Sequence, residues 1–228
     1  MRSRAREVKE LKAVIFDLDG TLVDSSEQIH ASVNYSRVLN GFTELSHTRV
    51  KEILGLPAEN LFRDLELLEE EIQELLFIFR ERLADLILIE NKVFPGVVET
   101  LKQLKVQGFL IGVATSKPGA LTKLVIENSQ LEQYVDYFQG TDGFTPKPSP
   151  EVIFKTIEGL GAKKSVMIGD RMEDILAAVA AGIPSVGIAQ SAHTEKQLIS
   201  SGASLAYPSM IKLSKSIGEI ENLLAYCK

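Results

Sequence analysis

Four short apolar runs constrain this chain more than any other feature. They are Ala13-Val14-Ile15-Phe16, Leu110-Ile111-Gly112-Val113-Ala114, Val166-Met167-Ile168 and Ser185-Val186-Gly187-Ile188. Each is as long as a strand and too short for a helix. None alternates with polar residues, so each predicts a strand covered on both faces. Helical stretches separate them. Residues 97–106 follow Pro95-Gly96 and stop before Gly108, and residues 151–160 follow Pro148-Ser149-Pro150 and end at Gly161. Residues 174–181 are Ala-rich and stop at Gly182, with Pro184 beyond. This alternation predicts an α/β fold with a doubly wound, mostly parallel, Rossmann-like sheet. Shorter strands are expected near Tyr137-Phe138 and Leu205-Ala206-Tyr207, and residues 210–226 read as one closing helix.

Residues 26–93 break the rhythm. Leu61, Leu65, Leu68, Ile72, Leu75, Phe79, Leu83 and Leu86 step by three or four. That is one continuous helical face, or two helices in line. The segment is too long for a loop. A helical unit over residues 26–93 is therefore expected to interrupt an α/β unit formed by residues 1–25 and 94–228. Within it, Gly55-Leu56-Pro57-Ala58 interrupts the helical pattern as a loop.

Composition narrows the function. The 228 residues can bury a core without a disulfide or metal staple. The single cysteine, Cys227, excludes an intramolecular disulfide framework and a Cys-rich zinc site. With 25 basic and 31 acidic residues the net charge is −6, which disfavours a general nucleic-acid binder. A locally positive site for an anionic substrate remains compatible with it. The basic start lacks the apolar stretch of a secretory signal, and no run approaches the ~20 apolar residues of a bilayer span. The expectation is a soluble, cytoplasmic protein with no membrane or nucleic-acid partner. The pattern gives no oligomeric state.

Four segments carry chemistry. In Phe16-Asp17-Leu18-Asp19-Gly20-Thr21 a strand runs straight into two acids. Ligands of open α/β sheets bind beyond the carboxyl ends of the strands. Two carboxylates so close repel unless a cation or shared proton intervenes, and a hard divalent ion such as Mg²⁺ suits oxygen ligands. The alternative is a solvated acidic turn. In Ala114-Thr115-Ser116-Lys117 a second strand ends in hydroxyls, which suits a phosphate or an ordinary helix N-cap. In Pro146-Lys147-Pro148-Ser149-Pro150 three prolines stiffen the backbone around a lysine, a fixed charge for an anion or a plain surface lysine. In Gly169-Asp170-Arg171-Met172-Glu173-Asp174 a third strand ends in acids, either metal ligands or helix-capping groups.

Together, in this order, the four segments resemble the signature set of the haloacid dehalogenase superfamily. Asp-Gly-Thr-Leu-Val-Asp-Ser and Gly-Val-Ala-Thr-Ser-Lys make the chain most similar to its phosphoglycolate phosphatase-like members. The resemblance implies a Mg²⁺-dependent phosphatase acting on a small phosphorylated metabolite, with residues 26–93 as a helical cap. It implies that Asp17 is the nucleophile and forms an aspartyl-phosphate, and that Asp19 is the general acid and then the base. Thr115, Ser116 and Lys147 would hold the phosphoryl group. Asp17 and Asp170 would bind Mg²⁺ by side chain and Asp19 by its backbone carbonyl, with Asp174 orienting that site from behind.

Departures separate the relatives. Haloacid dehalogenases lack the second aspartate, so Asp19 argues against dehalogenation. β-Phosphoglucomutase-like members place a histidine ten residues after it. Here that position is Ile29, and His30 lies one step, about 100°, around a helix. A phosphosugar mutase and a non-catalytic phospholigand binder remain the alternatives. In the cap, Arg49, Lys51 and Arg63 are candidates to meet a substrate carboxylate or second phosphate, against the commoner role of surface charges. Arg171 stands where relatives often carry a small hydroxyl residue, facing solvent or the cap.

Overall fold

Each apolar run forms the expected strand, and the chain winds around the first of them. The computed structural model describes residues 10–225. The basic start over residues 1–9, together with Tyr226 and Cys227, lies outside the described residues. β1 (Lys12–Phe16) leads through a tight turn into the two-residue β2 (Val23–Asp24). Then come α1 (Ser26–Leu39), α2 (His47–Ile53) and α3 (Glu69–Ile89), after which β3 (Lys92–Val93) brings the chain back. Helices and strands alternate from there: α4 (Val97–Val106), β4 (Leu110–Ala114), α5 (Gly119–Asn128) and β5 (Tyr137–Gln139). α6 (Glu151–Leu160), β6 (Lys164–Gly169), α7 (Met172–Ala181) and β7 (Ser185–Ile188) continue the pattern. It closes with α8 (Glu195–Ser200), β8 (Leu205–Tyr207), α9 (Met210–Ser214) and α10 (Ile217–Ala225).

The main sheet is parallel, in the order β5-β4-β1-β6-β7-β8. From β1 the chain moves outward through β4 to β5, then returns to lay β6, β7 and β8 on the other side. The order therefore reverses at β1, and the crevice beyond its carboxyl end is where such sheets bind ligands. Ala13, Val14, Ile15 and Phe16 are all inaccessible, as a strand covered by helices on both faces requires.

The helical insert packs α1 against α3 through Ile29, Val33, Ile72, Leu76, Phe79 and Leu83. Arg37 is buried inside it. It donates to the Thr43 and Leu61 carbonyls and forks onto Asp64 at 2.8 and 2.9 Å. β2 and β3 pair antiparallel, Val23 with Val93 and Asp24 with Lys92, so both connections to the insert run side by side.

Two sequence expectations need correction. The face from Leu61 to Leu86 is neither one helix nor two helices in line. Leu61 and Leu65 belong to the short 3-10 turns Ala58–Leu61 and Arg63–Leu65. The backbone then turns at Glu66, which adopts φ 53°, and Leu68 is left 72% exposed before α3 begins. The closing helix is also two helices. α9 packs on α4 and β8 while α10 packs on β6 and α4, and one straight rod cannot cover both surfaces. Among the described residues, no helix is long and apolar enough to cross a membrane.

Candidate active site

Asp17 and Asp19 stand at the carboxyl end of β1, where the order of the sheet reverses. The Asp17 amide donates to the Ile168 carbonyl at 2.9 Å, so the ladder with β6 runs to the first acid. The Gly20 amide then donates to the Val23 carbonyl at 2.8 Å and closes the turn. Gly20 has φ +90°, and a Cβ there would lie 2.5 Å from Asp170 Oδ2 and 2.7 Å from Ser191 Oγ. Only glycine satisfies both the dihedral and the space. Gly20→Ala is expected to lower stability by about 1–3 kcal/mol and to slow turnover by displacing Asp170. Calorimetry and a rate assay on the variant check this, and a wild-type melting temperature and rate would contradict it.

The turn also secures Asp170, at the end of β6. Thr21 Oγ1 donates to Asp170 Oδ1 at 2.8 Å, and Ser191 Oγ donates to Asp170 Oδ2. Burial pushes the Asp170 carboxyl up to about 6, and the Asp174 charge adds to the rise.

Lys147 reaches into the same place. Its Nζ lies 2.6 Å from Asp17 Oδ1 and 2.5 Å from Asp174 Oδ1, and donates to the Ala114 carbonyl at 3.0 Å. Burial opposes the ammonium charge, but Asp17 and Asp174 outweigh it and hold the Lys147 pKa above its usual value. Burial also pushes the Asp17 carboxyl up to about 8. Lys147 pulls it back, while Asp174 and Asp170 raise it further. The second oxygen of Asp174 accepts the Arg171 amide at 3.0 Å, so neither oxygen of Asp174 is without a protein partner. Asp17, Asp170 and Asp174 each offer one oxygen within 4.8 Å of the others.

Asp19 has its own lysine. Lys117 Nζ lies 3.1 Å from Asp19 Oδ2, and both side chains are buried. The other oxygen, Oδ1, is buried without a hydrogen-bond partner, as is Ser116 Oγ. Thr115 Oγ1 accepts the Lys117 amide at 3.2 Å. Asp17, Asp19, Thr115, Ser116 and Lys117 form the floor of a cavity of about 60 Å³. Its walls and roof include Ile29, Ile53, Leu54, Leu56, Phe79, Arg80 and Leu83. Gly55-Leu56-Pro57-Ala58 is the expected loop, and Gly55, Leu56 and Ala58 line the cavity.

The structure thus brings Asp17, Asp19, Thr115, Ser116, Lys147, Asp170 and Asp174 together. It does not bring the three basic candidates of the insert to them. Arg49 is exposed and pairs with Glu52 at 2.9 Å. Lys51 is exposed and lines a separate recess beside Asp24 and Ser191. Arg63 is exposed and outside the cavity. The basic residues that do face it, Lys117 and Arg80, were not singled out from sequence. Arg80 had a legible signal, a base four residues after Leu76 and three before Leu83 on an otherwise apolar face. Ile29 faces the cavity, whereas His30 stacks on His47 with ring centroids 3.5 Å apart. Arg171 touches the insert: its Nη2 donates to the Glu52 carbonyl at 3.2 Å. Its side chain also fills the space a Cβ on Gly55 would need, 2.5 Å from Cδ.

The haloacid dehalogenase-like hydrolase family model matches residues 14–188, a span that holds all seven clustered residues. This chain belongs to the haloacid dehalogenase-like hydrolases. The resemblance read from the four segments is borne out, and this haloacid dehalogenase-like hydrolase is an enzyme by family. It is 36% identical over 200 residues to "Probable phosphatase IndB" of Dickeya dadantii (strain 3937), covering 81% of this chain and 84% of that protein. It is 32% identical over 183 residues to a phosphoglycolate phosphatase of Agrobacterium fabrum (strain C58), covering 76% of this chain and 78% of that one. The crystal structure of a "predicted phosphatase" from Clostridium acetobutylicum is similar at TM-score 0.83 and 32% identity, covering 92% of this chain and 99% of that one.

Proposed function

We propose that this hydrolase is a Mg²⁺-dependent phosphatase that cleaves a small phosphomonoester through an aspartyl-phosphate intermediate. The observation that carries the proposal is the pair Asp17 and Asp19, buried on the floor of one cavity and each held by its own lysine. Lys147 holds Asp17 by Oδ1 and orients its carboxylate toward phosphorus. Asp17 attacks, and the bond from phosphorus to the ester oxygen breaks. Asp19 protonates the departing oxygen through Oδ1, the atom without a protein partner. Asp19 then takes a proton from the water that attacks the phosphoaspartyl group, which releases phosphate and restores Asp17. Thr115, Ser116 and both lysines provide donors for the phosphoryl oxygens.

The residues present fit a divalent ion. Asp17, Asp170 and Asp174 each offer a buried oxygen within 4.8 Å of the others, a cluster whose mutual repulsion a divalent cation would offset. The donors are all oxygen, as Mg²⁺ prefers. Asp17 and Asp170 would hold it with the Asp19 backbone carbonyl, while Asp174, engaged on both oxygens, positions Lys147. When bound, the ion supplies charge that offsets repulsion between an anionic nucleophile and an anionic ester.

The insert over residues 26–93 serves as the cap, since its side chains form the roof over the two acids. The histidine that the phosphosugar mutase reading calls for is absent from the cavity wall, where Ile29 stands.

The test is phosphate release from a panel of small phosphomonoesters, with Mg²⁺, with chelator and with Ca²⁺. Release is expected with Mg²⁺ alone. The larger ion accepts more ligands and should inhibit by disturbing in-line geometry. Full activity with chelator would remove the metal from the proposal, and bisphosphate-dependent isomerisation without net release would replace it with the mutase.

A further inference from the structure

We infer that Arg80 selects substrates whose leaving group ends in a second anion, a carboxylate or another phosphate. The inference rests on the phosphatase reading and adds to it the class of ester. α3 presents Phe79, Arg80 and Leu83 to the cavity, opposite Asp17 and Asp19. Ile53, Leu54 and Leu56 line the same cavity, and the Arg80 side chain is 38% exposed. Among the residues lining the roof, Arg80 is the one that carries a charge.

Arg80 is incompletely satisfied by the protein. Its Nε is buried and has no hydrogen-bond partner. Glu59 comes no closer than 4.0 Å to Nη2, beyond hydrogen-bond reach. A buried donor without an acceptor is uncommon and calls for an explanation. A planar guanidinium matches a carboxylate or phosphate through paired N–H groups. With the scissile phosphate on Asp17, an anion at the far end of the leaving group would meet Arg80. The cavity of about 60 Å³ limits what lies between.

The experiment compares kcat/KM for three esters of similar length: 2-phosphoglycolate, the bisphosphate of ethane-1,2-diol, and ethyl phosphate. The wild-type protein is expected to prefer one or both anion-bearing esters over ethyl phosphate by about ten- to hundredfold. Which ester gains identifies the anion as carboxylate or phosphate. In Arg80→Gln the preference should collapse to about twofold or less, and Arg80→Lys should restore part of it. A preference that survives Arg80→Gln would overturn the inference. So would a parallel loss on all three esters, which marks a structural role, or a wild-type protein that does not discriminate.

A binding arm separates the two readings. Asp17→Asn and Asp17→Asn/Arg80→Gln are titrated calorimetrically with 2-phosphoglycolate and with the bisphosphate. Weaker binding of at least one by the double variant supports Arg80 even where no ester is hydrolysed, an outcome that would sink the phosphatase reading alone. Equal binding of both anions by the two proteins would sink Arg80.

Discussion

Asp17→Asn is expected to abolish turnover and, in the same protein, to raise the melting temperature measured with chelator. The rate should fall at least about 10⁴-fold, because an amide does not replace a carboxylate nucleophile. The gain in stability follows from the direction of the pKa shift. The Asp17 carboxyl titrates near 3.8 in the unfolded chain and at about 8 in the folded one. Below 3.8 both states hold the proton and burial of the group is uncharged. Between 3.8 and about 8 the folded state keeps a proton that the unfolded state releases, so stability falls as pH rises. Above that the penalty is complete. One unit corresponds to about 1.4 kcal/mol, so a few kcal/mol are at stake near neutrality. Asparagine removes this slope and leaves the shallower one from Asp170, which spans 3.8 to about 6. Melting curves against pH, wild type beside variant, read the effect directly. A variant that melts lower than wild type with the wild-type slope would refute it. Added Mg²⁺ should flatten the wild-type curve, because it stabilises the ionised carboxylates.

Removing the other half of that ion pair should do the reverse. Lys147→Met leaves Asp17 and Asp174 without their ammonium and the Ala114 carbonyl without its donor. Breaking a buried pair from one side typically costs about 3–5 kcal/mol, because a charge remains uncompensated. The variant should therefore be severely destabilised at pH 7. Asp17→Asn in the same chain should recover part of the loss, which a double-mutant cycle measures. Urea denaturation at pH 7 is the test, and wild-type stability of Lys147→Met would refute the argument. One ion pair would then have opposite consequences at its two ends: the protein tolerates the acid for chemistry and requires the base for folding.

The sequence made the sheet easy to read and the insert hard. β4 and β7 lie where the apolar runs put them, because strands buried along almost their whole length show as continuous apolar stretches, and the half-buried β8 lies at its own apolar and aromatic run. α4 and α6 were bounded by glycine and proline, which punctuate the backbone whatever the tertiary context. The break between α9 and α10 has neither residue. Ser216 just before α10, with Glu219 three residues on, has the spacing of a helix-start capping box, and packing against α4, β6 and β8 then separates the two pieces. In the insert, Glu66 takes a left-handed conformation that its identity does not announce. The acids and hydroxyls of the site were legible because they end strands. The Lys117–Asp19 pair depends on how a helix entry meets the end of β1 across space, which spacing along the chain does not encode, whereas Arg80 was marked by its place on an apolar helical face.

The ribbon of β2 and β3 has a further consequence for how such a protein changes over time. Val23 faces Val93 and Asp24 faces Lys92, so the insert begins and ends at neighbouring points. Adjacent termini let a segment be exchanged without re-threading anything else. Asp17, Asp19, Thr115, Lys147 and Asp170 all lie outside the exchanged piece, while Phe79, Arg80 and Leu83 lie within it. Recombination at the ribbon would thus trade one roof for another above an unaltered set of reacting groups, and new selectivity could be inherited as a module rather than assembled one substitution at a time.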